Sequence, residues 1–312
     1  MKNLCISLCI LLILSLFSGC QQNETSDTQF YLDTICTIRA GGKNAKEAIS
    51  AAFDRIADIQ KAVDYYDYAS TVSAINRAEA GVPVPLDNDT FSILKTTKMV
   101  AEASGGAFSI TIAPVKDLWG FEQERPSVPA DSEIKNTLQY VNDTYLFLNE
   151  QQKSVTKAET DVKIDLGGAA KGYAADQVLK LLKTYSLSYA VIDLGGNVTV
   201  WGKNPNSADG RWSVGIQKPF GGTGEYVQSI TLAEGSVVTS GTYQRNFSEN
   251  GKLYHHILNP ATGYPAENQK NSATVIADSS ALADCLSTAC MVLPEEEAIQ
   301  LANNFNVQLY FH

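Results

Sequence analysis

Apolar residues recur along this chain at two different periods, and the mixture predicts both helices and strands. Ala48, Ala52, Ile56, Ile59 and Val63 are spaced as one face of a helix over Ala45 to Val63. A second helix is predicted from Asn88, with Asp89 and Thr90 ahead of Phe91, Leu94 and Val100, stopping at Gly105-Gly106. Strand-like alternation marks Phe30 to Arg39, Phe108 to Ile112 and Val162 to Leu166. Tyr145 to Leu148 and the segment from Val155 suggest a hairpin. Pro114 to Phe121 reads as loop and turn, and residues 122–135, polar and proline-containing, as a surface excursion. A helix over Ala169 to Tyr185 is followed by strands near Tyr189 to Trp201, Trp212 to Ile216, Ser229 to Leu232, Val237 to Thr239 and Ser272 to Ala277. The last helix that carries chemistry runs from Ser279 to Val292, with Asp278 as its expected N-cap. Strands and helices alternate without the regular spacing of a doubly wound sheet, so the expected fold class is α+β, one compact unit of mixed or antiparallel sheets and packed helices.

The first residues interrupt this pattern. Lys2 precedes an apolar core, Leu4 to Phe17, too short for a comfortable membrane span and suited to a secretory signal. The segment closes on Leu16-Phe17-Ser18-Gly19-Cys20, which resembles a lipobox, so residues 1–19 are expected to be a signal peptide and Cys20 the lipidated first residue. Residues 20–28 are polar and read as a tether, leaving 29–312 as the folded domain. Loss of Lys2, the one charged residue in 1–19, takes the net charge from −10 to −11. An acidic chain without basic runs argues against nucleic acid and against a polybasic grip on lipid headgroups, so membrane attachment is expected through the lipid at Cys20, facing outside the cytoplasm. Cys36, Cys285 and Cys290 show no zinc spacing and are expected as small buried apolar residues.

The chemistry concentrates in three places. Ile164 to Asp176, IDLGGAAKGYAAD, places Asp165 at a strand end, a Gly-Gly turn next, and Lys171 in the first turn of a helix. Free N–H groups, a helix dipole and a lysine suit a phosphate or pyrophosphate, although a merely capped turn with an exposed lysine has the same spacing. His255 and His256 lie beside the turn Asn259 to Pro265, and spacing alone does not say which is packed and which is functional. Asp284 and Thr288 stand four apart on an otherwise apolar helix. Their hard oxygens suit Mg²⁺, and a narrow solvent-facing stripe is the alternative.

These segments occur in one order that resembles the ApbE family, the FAD:protein FMN transferases. The resemblance begins at Leu32-Asp33-Thr34 and passes through Tyr66, Ser70 and Asn76, Gly105 to Thr111, Trp119-Gly120-Phe121 and Asp165 to Asp176. It continues with Gly195-Gly196-Asn197, Ser240-Gly241 with Arg245, His256 to Pro265, and Asp284 to Thr288. It implies an Mg²⁺-dependent enzyme that splits FAD, attaches FMN through a phosphoester bond to a Thr or Ser of an exported acceptor protein, and releases AMP. It further implies a metal site of Asp284, Thr288, Gly168 through its carbonyl and Ser287 through its main chain. Leu32, Tyr66, Ala107, Phe108, Ser109, Asp165, Lys171 and Ile257 would hold the flavin nucleotide, with His256 as general base. Ser109 stands where many members carry Asp, Leu32 where methionine is frequent, and Asn259 where Asp is commoner. An FAD pyrophosphatase giving free FMN and AMP, and a flavin-binding lipoprotein without turnover, are the competing expectations.

Overall fold

The computed structural model describes residues 24–222, 224–267 and 270–312. In chain order its strands are β1 (Glu24–Tyr31), β2 (Thr34–Gly42), β3 (Val84–Pro85), β4 (Leu146–Asn149), β5 (Ser154–Lys157), β6 (Leu187–Leu194), β7 (Asn197–Gly202), β8 (Trp212–Gln217), β9 (Tyr226–Leu232), β10 (Gly235–Gly241), β11 (Asn246–Glu249), β12 (Lys252–His255), β13 (Ser272–Ala277) and β14 (Gln308–Phe311). The helices are α1 (Ala45–Val63), α2 (Thr71–Arg77), α3 (Asn88–Ala103), α4 (Ala113–Trp119), α5 (Asp131–Leu138), α6 (Ala170–Leu182), α7 (Ser280–Val292) and α8 (Glu295–Asn304).

Seven strands form one antiparallel sheet in the order β1-β2-β6-β7-β10-β13-β14, so the fold is α+β, as expected. The period of two along these strands sends alternate residues to opposite faces. Ile38, Ile192, Val238 and Val275 join the core made with α1, α6 and α7. Tyr189, Val200 and Val237 face the other way and pack under the β8–β9 hairpin with Trp212, Ile216 and Leu232. A third cluster, around Trp119, Ile134 and Leu258, supports α4 and the loop after β12.

Several expectations are corrected. The described part of the polar 20–28 segment is not a tether: Glu24 to Thr28 pairs with Thr37 to Gly41 as the start of edge strand β1, where a polar outer face is normal. The signal segment and Cys20 lie outside the described residues. Phe108 to Ile112 forms no strand; a 3₁₀ turn at Ile110–Ile112 runs into α4. Side chains there take the backbone donors a ladder would use, Ser109 Oγ accepting from Thr111 N at 3.2 Å and Asp143 Oδ1 from Ile110 N at 3.1 Å. The stretch read as loop and turn is α4, started by Pro114 in the first turn and ended by left-handed Gly120. Part of the 122–135 excursion forms α5. The N-cap of α7 is Ser279 rather than Asp278.

Val162 to Leu166 lies outside every strand. A buried backbone must still pair its polar groups, and side chains do so here. Asn76 clasps Ile164 from both sides, Nδ2 donating to its carbonyl at 3.0 Å and Oδ1 accepting from its N–H at 2.7 Å. The ammonium of buried Lys157 donates to the carbonyls of Asn76, Thr160 and Val162 at 3.1, 2.8 and 2.8 Å.

Helices α6 and α7 cap each other. The first-turn N–H of Gly172 donates to Asp284 Oδ2 on α7 at 2.9 Å. In return Asp176 of α6 accepts from Ser280 N, Ala281 N and Ser279 Oγ at 2.8, 3.1 and 2.8 Å, satisfying N–H groups at the start of α7. The approach is close enough to require glycine: a Cβ at position 172 would stand 2.3 Å from the Ser280 carbonyl oxygen. Gly172→Ala should therefore lower stability by about 1–3 kcal/mol through overpacking, despite the roughly 1 kcal/mol that alanine gains in helix propensity. A urea titration checks this, and a midpoint at or above wild type would contradict it.

Candidate active site

A cavity of about 540 Å³ opens at the first turn of α6, within the size range of small-molecule sites. One wall is the two-residue turn between β1 and β2, where Leu32 and Asp33 both adopt positive φ, 50° and 56°. Such turns match the twist of a hairpin, and the Leu32 N–H is fixed by Gln60 Oε1 at 2.7 Å. The glycine turn before α6 and Asp284 and Thr288 of α7 also line it. Of the residues expected in the site, Leu32, Tyr66, Ala107, Phe108, Ser109, Asp165, Gly168, Lys171, His256, Ile257, Asp284 and Thr288 all line this one cavity. Ser287 does not. It is fully buried, its hydroxyl donating to the Asp284 carbonyl at 3.0 Å and contacting Ser240 Oγ at 2.8 Å.

The two histidines separate cleanly. His255 ends β12 and is buried, its Nε2 donating to the Ala266 carbonyl at 3.2 Å. His256 turns into the cavity, its Nδ1 3.2 Å from the Arg245 carbonyl oxygen. A carbonyl can only accept, so Nδ1 carries the hydrogen and Nε2 keeps its lone pair. Burial pushes the His256 pKa down to about 3, against the opposing pull of the Arg245 carbonyl. The ring is therefore neutral across the physiological range.

Asp165 and Lys171 both have local partners. Asp165 Oδ1 accepts from Gly167 N at 2.7 Å and caps the glycine turn, while Lys171 Nζ donates to the Gly167 carbonyl at 3.2 Å. The other Asp165 oxygen meets Lys116, a residue that no sequence motif marked, at 2.7 Å. Lys116 also reaches Glu122 Oε1 at 2.9 Å. Glu122 in turn pairs with Arg245 and accepts from Tyr66 OH at 2.6 Å. Burial pushes the Asp165 carboxyl up, but the Lys116 charge together with the hydrogen bonds from Lys116 and the Gly167 N–H outweighs it and holds the pKa below the usual carboxylate range. Burial likewise opposes the charge of Lys116, and its two carboxylate partners overcome that and raise its pKa. The sequence pattern hides Lys116 because its segment reads as loop; the signal is the Lys116-Asp117 pair among Ala113, Pro114, Val115 and Leu118. Glu122 stands at the start of the expected surface excursion.

Gly168 of the same turn comes close to Thr288, which stands four residues from Asp284 on α7, and all three line the cavity. A Cβ at Gly168 would lie 3.7 Å from Thr288 Oγ1 and 3.2 Å from the Phe108 ring, so the glycine keeps this corner open. Thr288 Oγ1 bonds the Asp284 carbonyl at 3.2 Å and stands 3.2 Å from Ser240 Oγ. Among the described residues no cluster of three His, Cys, Asp or Glu could hold a metal. One carboxylate with hydroxyl and carbonyl oxygens fits Mg²⁺, which commonly takes few protein ligands and completes its shell with water and substrate phosphates.

A sequence model of the ApbE family matches residues 32–311. The chain belongs to the ApbE family. It is 31% identical over 297 residues to an FAD:protein FMN transferase of Treponema pallidum, covering 90% of this chain and 82% of that protein. It is 35% identical over 228 residues to an FAD:protein FMN transferase of Klebsiella pneumoniae, covering 73% and 70%. The crystal structure of the ApbE protein from Thermotoga maritima matches with a TM-score of 0.85 at 30% identity, covering 93% of this chain and 94% of that one. Every cavity-lining residue falls inside the span matched to ApbE.

The depressed His256 pKa carries a sign. In the unfolded chain the ring binds a proton near 6.5, in the folded protein only near 3. Between those values the unfolded state holds more protons, so this histidine costs the fold stability as pH falls. His256→Gln should lose stability less steeply than wild type between pH 6.5 and 3 and match its slope above 7. Equal slopes throughout, in urea titrations across pH, would contradict the assignment.

Proposed function

We propose that this protein transfers FMN from FAD to a Thr or Ser hydroxyl of a target protein and releases AMP. What carries this reading is the convergence, in one cavity, of a neutral histidine with a free Nε2 and of the Asp284–Thr288–Gly168 oxygen corner. The FAD:protein FMN transferase names of the relatives supply the substrates.

The acceptor oxygen attacks the phosphorus of the FMN half. The bond from that phosphorus to the bridging oxygen breaks, and the electron pair leaves on AMP. His256 Nε2 takes the hydroxyl proton, because an alcohol is a poor nucleophile at neutral pH. The dinucleotide's negative charge raises the pKa of His256 from its low value in the free protein. When bound at Asp284, Thr288 and the Gly168 carbonyl, Mg²⁺ would neutralise charge on the pyrophosphate oxygens. Lys171 and the N-terminal end of α6 add positive potential on the same side. Leu32, Tyr66, Phe108 and Ile257 offer apolar and aromatic surface to the flavin nucleotide. The Lys116–Glu122–Arg245 chain fixes Tyr66 and the carbonyl that orients His256.

The exported setting follows from the signal-like residues 1–19. A lipid on Cys20 would hold the catalytic unit at the outer face of the membrane, with β1 starting four residues later. Cys20→Ser should move the protein from the membrane fraction to the soluble one; retention in the membrane would contradict lipid anchoring.

Purified protein with FAD, Mg²⁺ and a Thr- or Ser-bearing acceptor should add one FMN mass to the acceptor. Asp284→Ala should abolish the adduct and His256→Ala should slow it by about 10²–10⁴-fold, the usual worth of a general base. Intact-mass spectrometry measures both. AMP production at full rate without acceptor would favour the pyrophosphatase instead, and FAD binding without AMP release would favour the binding protein.

A further inference from the structure

Asn197 opens β7 directly after the Gly195-Gly196 turn. It lines the cavity yet is only 1% exposed. Its side-chain Nδ2 has no hydrogen-bond partner among the described residues, and of the cavity-lining side chains it alone has such a buried orphan atom. Its polar neighbours are satisfied. Thr199, two residues along the same face, shares a 2.8 Å hydroxyl contact with Ser236. Ser240 meets Ser287 and Thr288 at 2.8 and 3.2 Å.

The strand register says where this amide lies. Asn197 is opposite Val238 and Thr199 opposite Ser236, so Ser236, Val238 and Ser240 share a face with Asn197. Ser240 touches α7, which makes this the α7 side of the sheet. Asn197 and Ser240 are diagonal neighbours across the strand pair, a spacing of about 7–8 Å between backbones. The amide therefore lies toward Ser240 and Thr288, on the side of the sheet that carries α7. A donor there calls for an acceptor oxygen, and the nearby Lys171 and α6 N-terminus favour an anionic one.

We propose that the Asn197 carboxamide donates a hydrogen bond to a phosphate oxygen of the bound dinucleotide. This rests on the transferase reading for the ligand's identity, but it concerns binding and not turnover. A buried donor without an acceptor destabilises the free protein, and a ligand that supplies the acceptor binds the folded state alone and returns stability to it. Asn197 is thus a phosphate-binding residue whose bond forms only in the complex.

The test uses ADP, which carries a pyrophosphate and no flavin, together with FAD, both with Mg²⁺. Asn197→Leu, close in volume and without the donor, should melt at or above the wild-type temperature when free. Its affinity for ADP and for FAD should fall about tenfold, the worth of one hydrogen bond to a charged group, and its ligand-induced thermal shift should shrink. Wild-type affinity for ADP in this variant overturns the proposal, as does a wild-type protein that does not bind ADP. Should Asn197→Leu lose stability, the near-isosteric Asn197→Asp decides: weaker ADP binding supports the proposal and unchanged binding overturns it. Wild-type protein that binds ADP but transfers no FMN would sink the transferase reading and leave the role of Asn197 standing. FMN transfer by Asn197→Leu with unchanged FAD and ADP affinity would do the reverse.

Discussion

The close approach of α6 and α7 at Gly172 is the constraint on which the site depends. Two helix N-termini come together there, and each carries N–H groups that its own helix cannot satisfy. Asp176 and Asp284 answer one another across the contact, each accepting from the other's helix. The arrangement holds only because no side chain stands at Gly172, where a Cβ would press on the Ser280 backbone. Asp284 is therefore held by a backbone donor before any ligand arrives, and Thr288 follows one turn along the same face. A hinge in this contact would displace the oxygen corner and the glycine turn together.

A second set of restraints works by charge and by side chains that stand in for a ladder. Asp165 is balanced by Lys116, which also balances Glu122, which in turn holds Tyr66 and Arg245. Removing Lys116 would leave the buried Asp165 carboxylate without its cationic partner, a costly state in a low-dielectric setting. The Arg245 carbonyl then fixes the His256 tautomer, so the orientation of this ring is coupled to the ion pair between Arg245 and Glu122. Behind Asp165 the chain follows no strand. Asn76 and Lys157 hold it in place by five hydrogen bonds to its backbone and to each other's segment. Precise placement of the glycine turn is thus achieved without a sheet.

Much of the site was legible because it is carried by short ordered motifs. The glycine turn with Asp165 and Lys171, the pair Asp284 and Thr288, and the turn after His256 each stand out as candidates by composition and spacing, and only their order, in its resemblance to the ApbE family, joined them into one site. The long helices α1, α3, α6 and α7 were equally plain, since an apolar stripe at a helical period cannot be buried by a strand, whose faces alternate every residue. Local competition defeated pattern in two places. Ser109 and Asp143 diverted the backbone of Phe108 to Ile112 from strand to 3₁₀ turn, and Asn76 with Lys157 replaced the expected ladder at Val162 to Leu166. Both depend on partners tens of residues distant, which alternation along a window does not contain. Lys116 and Glu122 were hidden for a related reason: a charge looks solvated until its burial and its counter-charge are known.

By itself the sequence determined the fold class and the helical core faces, because those follow from periodicity, and its resemblance to the ApbE family singled out the motifs that line the cavity. Only the tertiary structure decided how the motifs share a site. It separated His256 from His255 by turning one ring into the cavity and the other onto a carbonyl. It withdrew Ser287 from the cavity, gave Asp165 a cationic partner and left the amide of Asn197 buried beside the oxygen corner. These outcomes depend on distances between residues far apart in the chain, set by one helix contact and one sheet register, and neither is written in any local stretch.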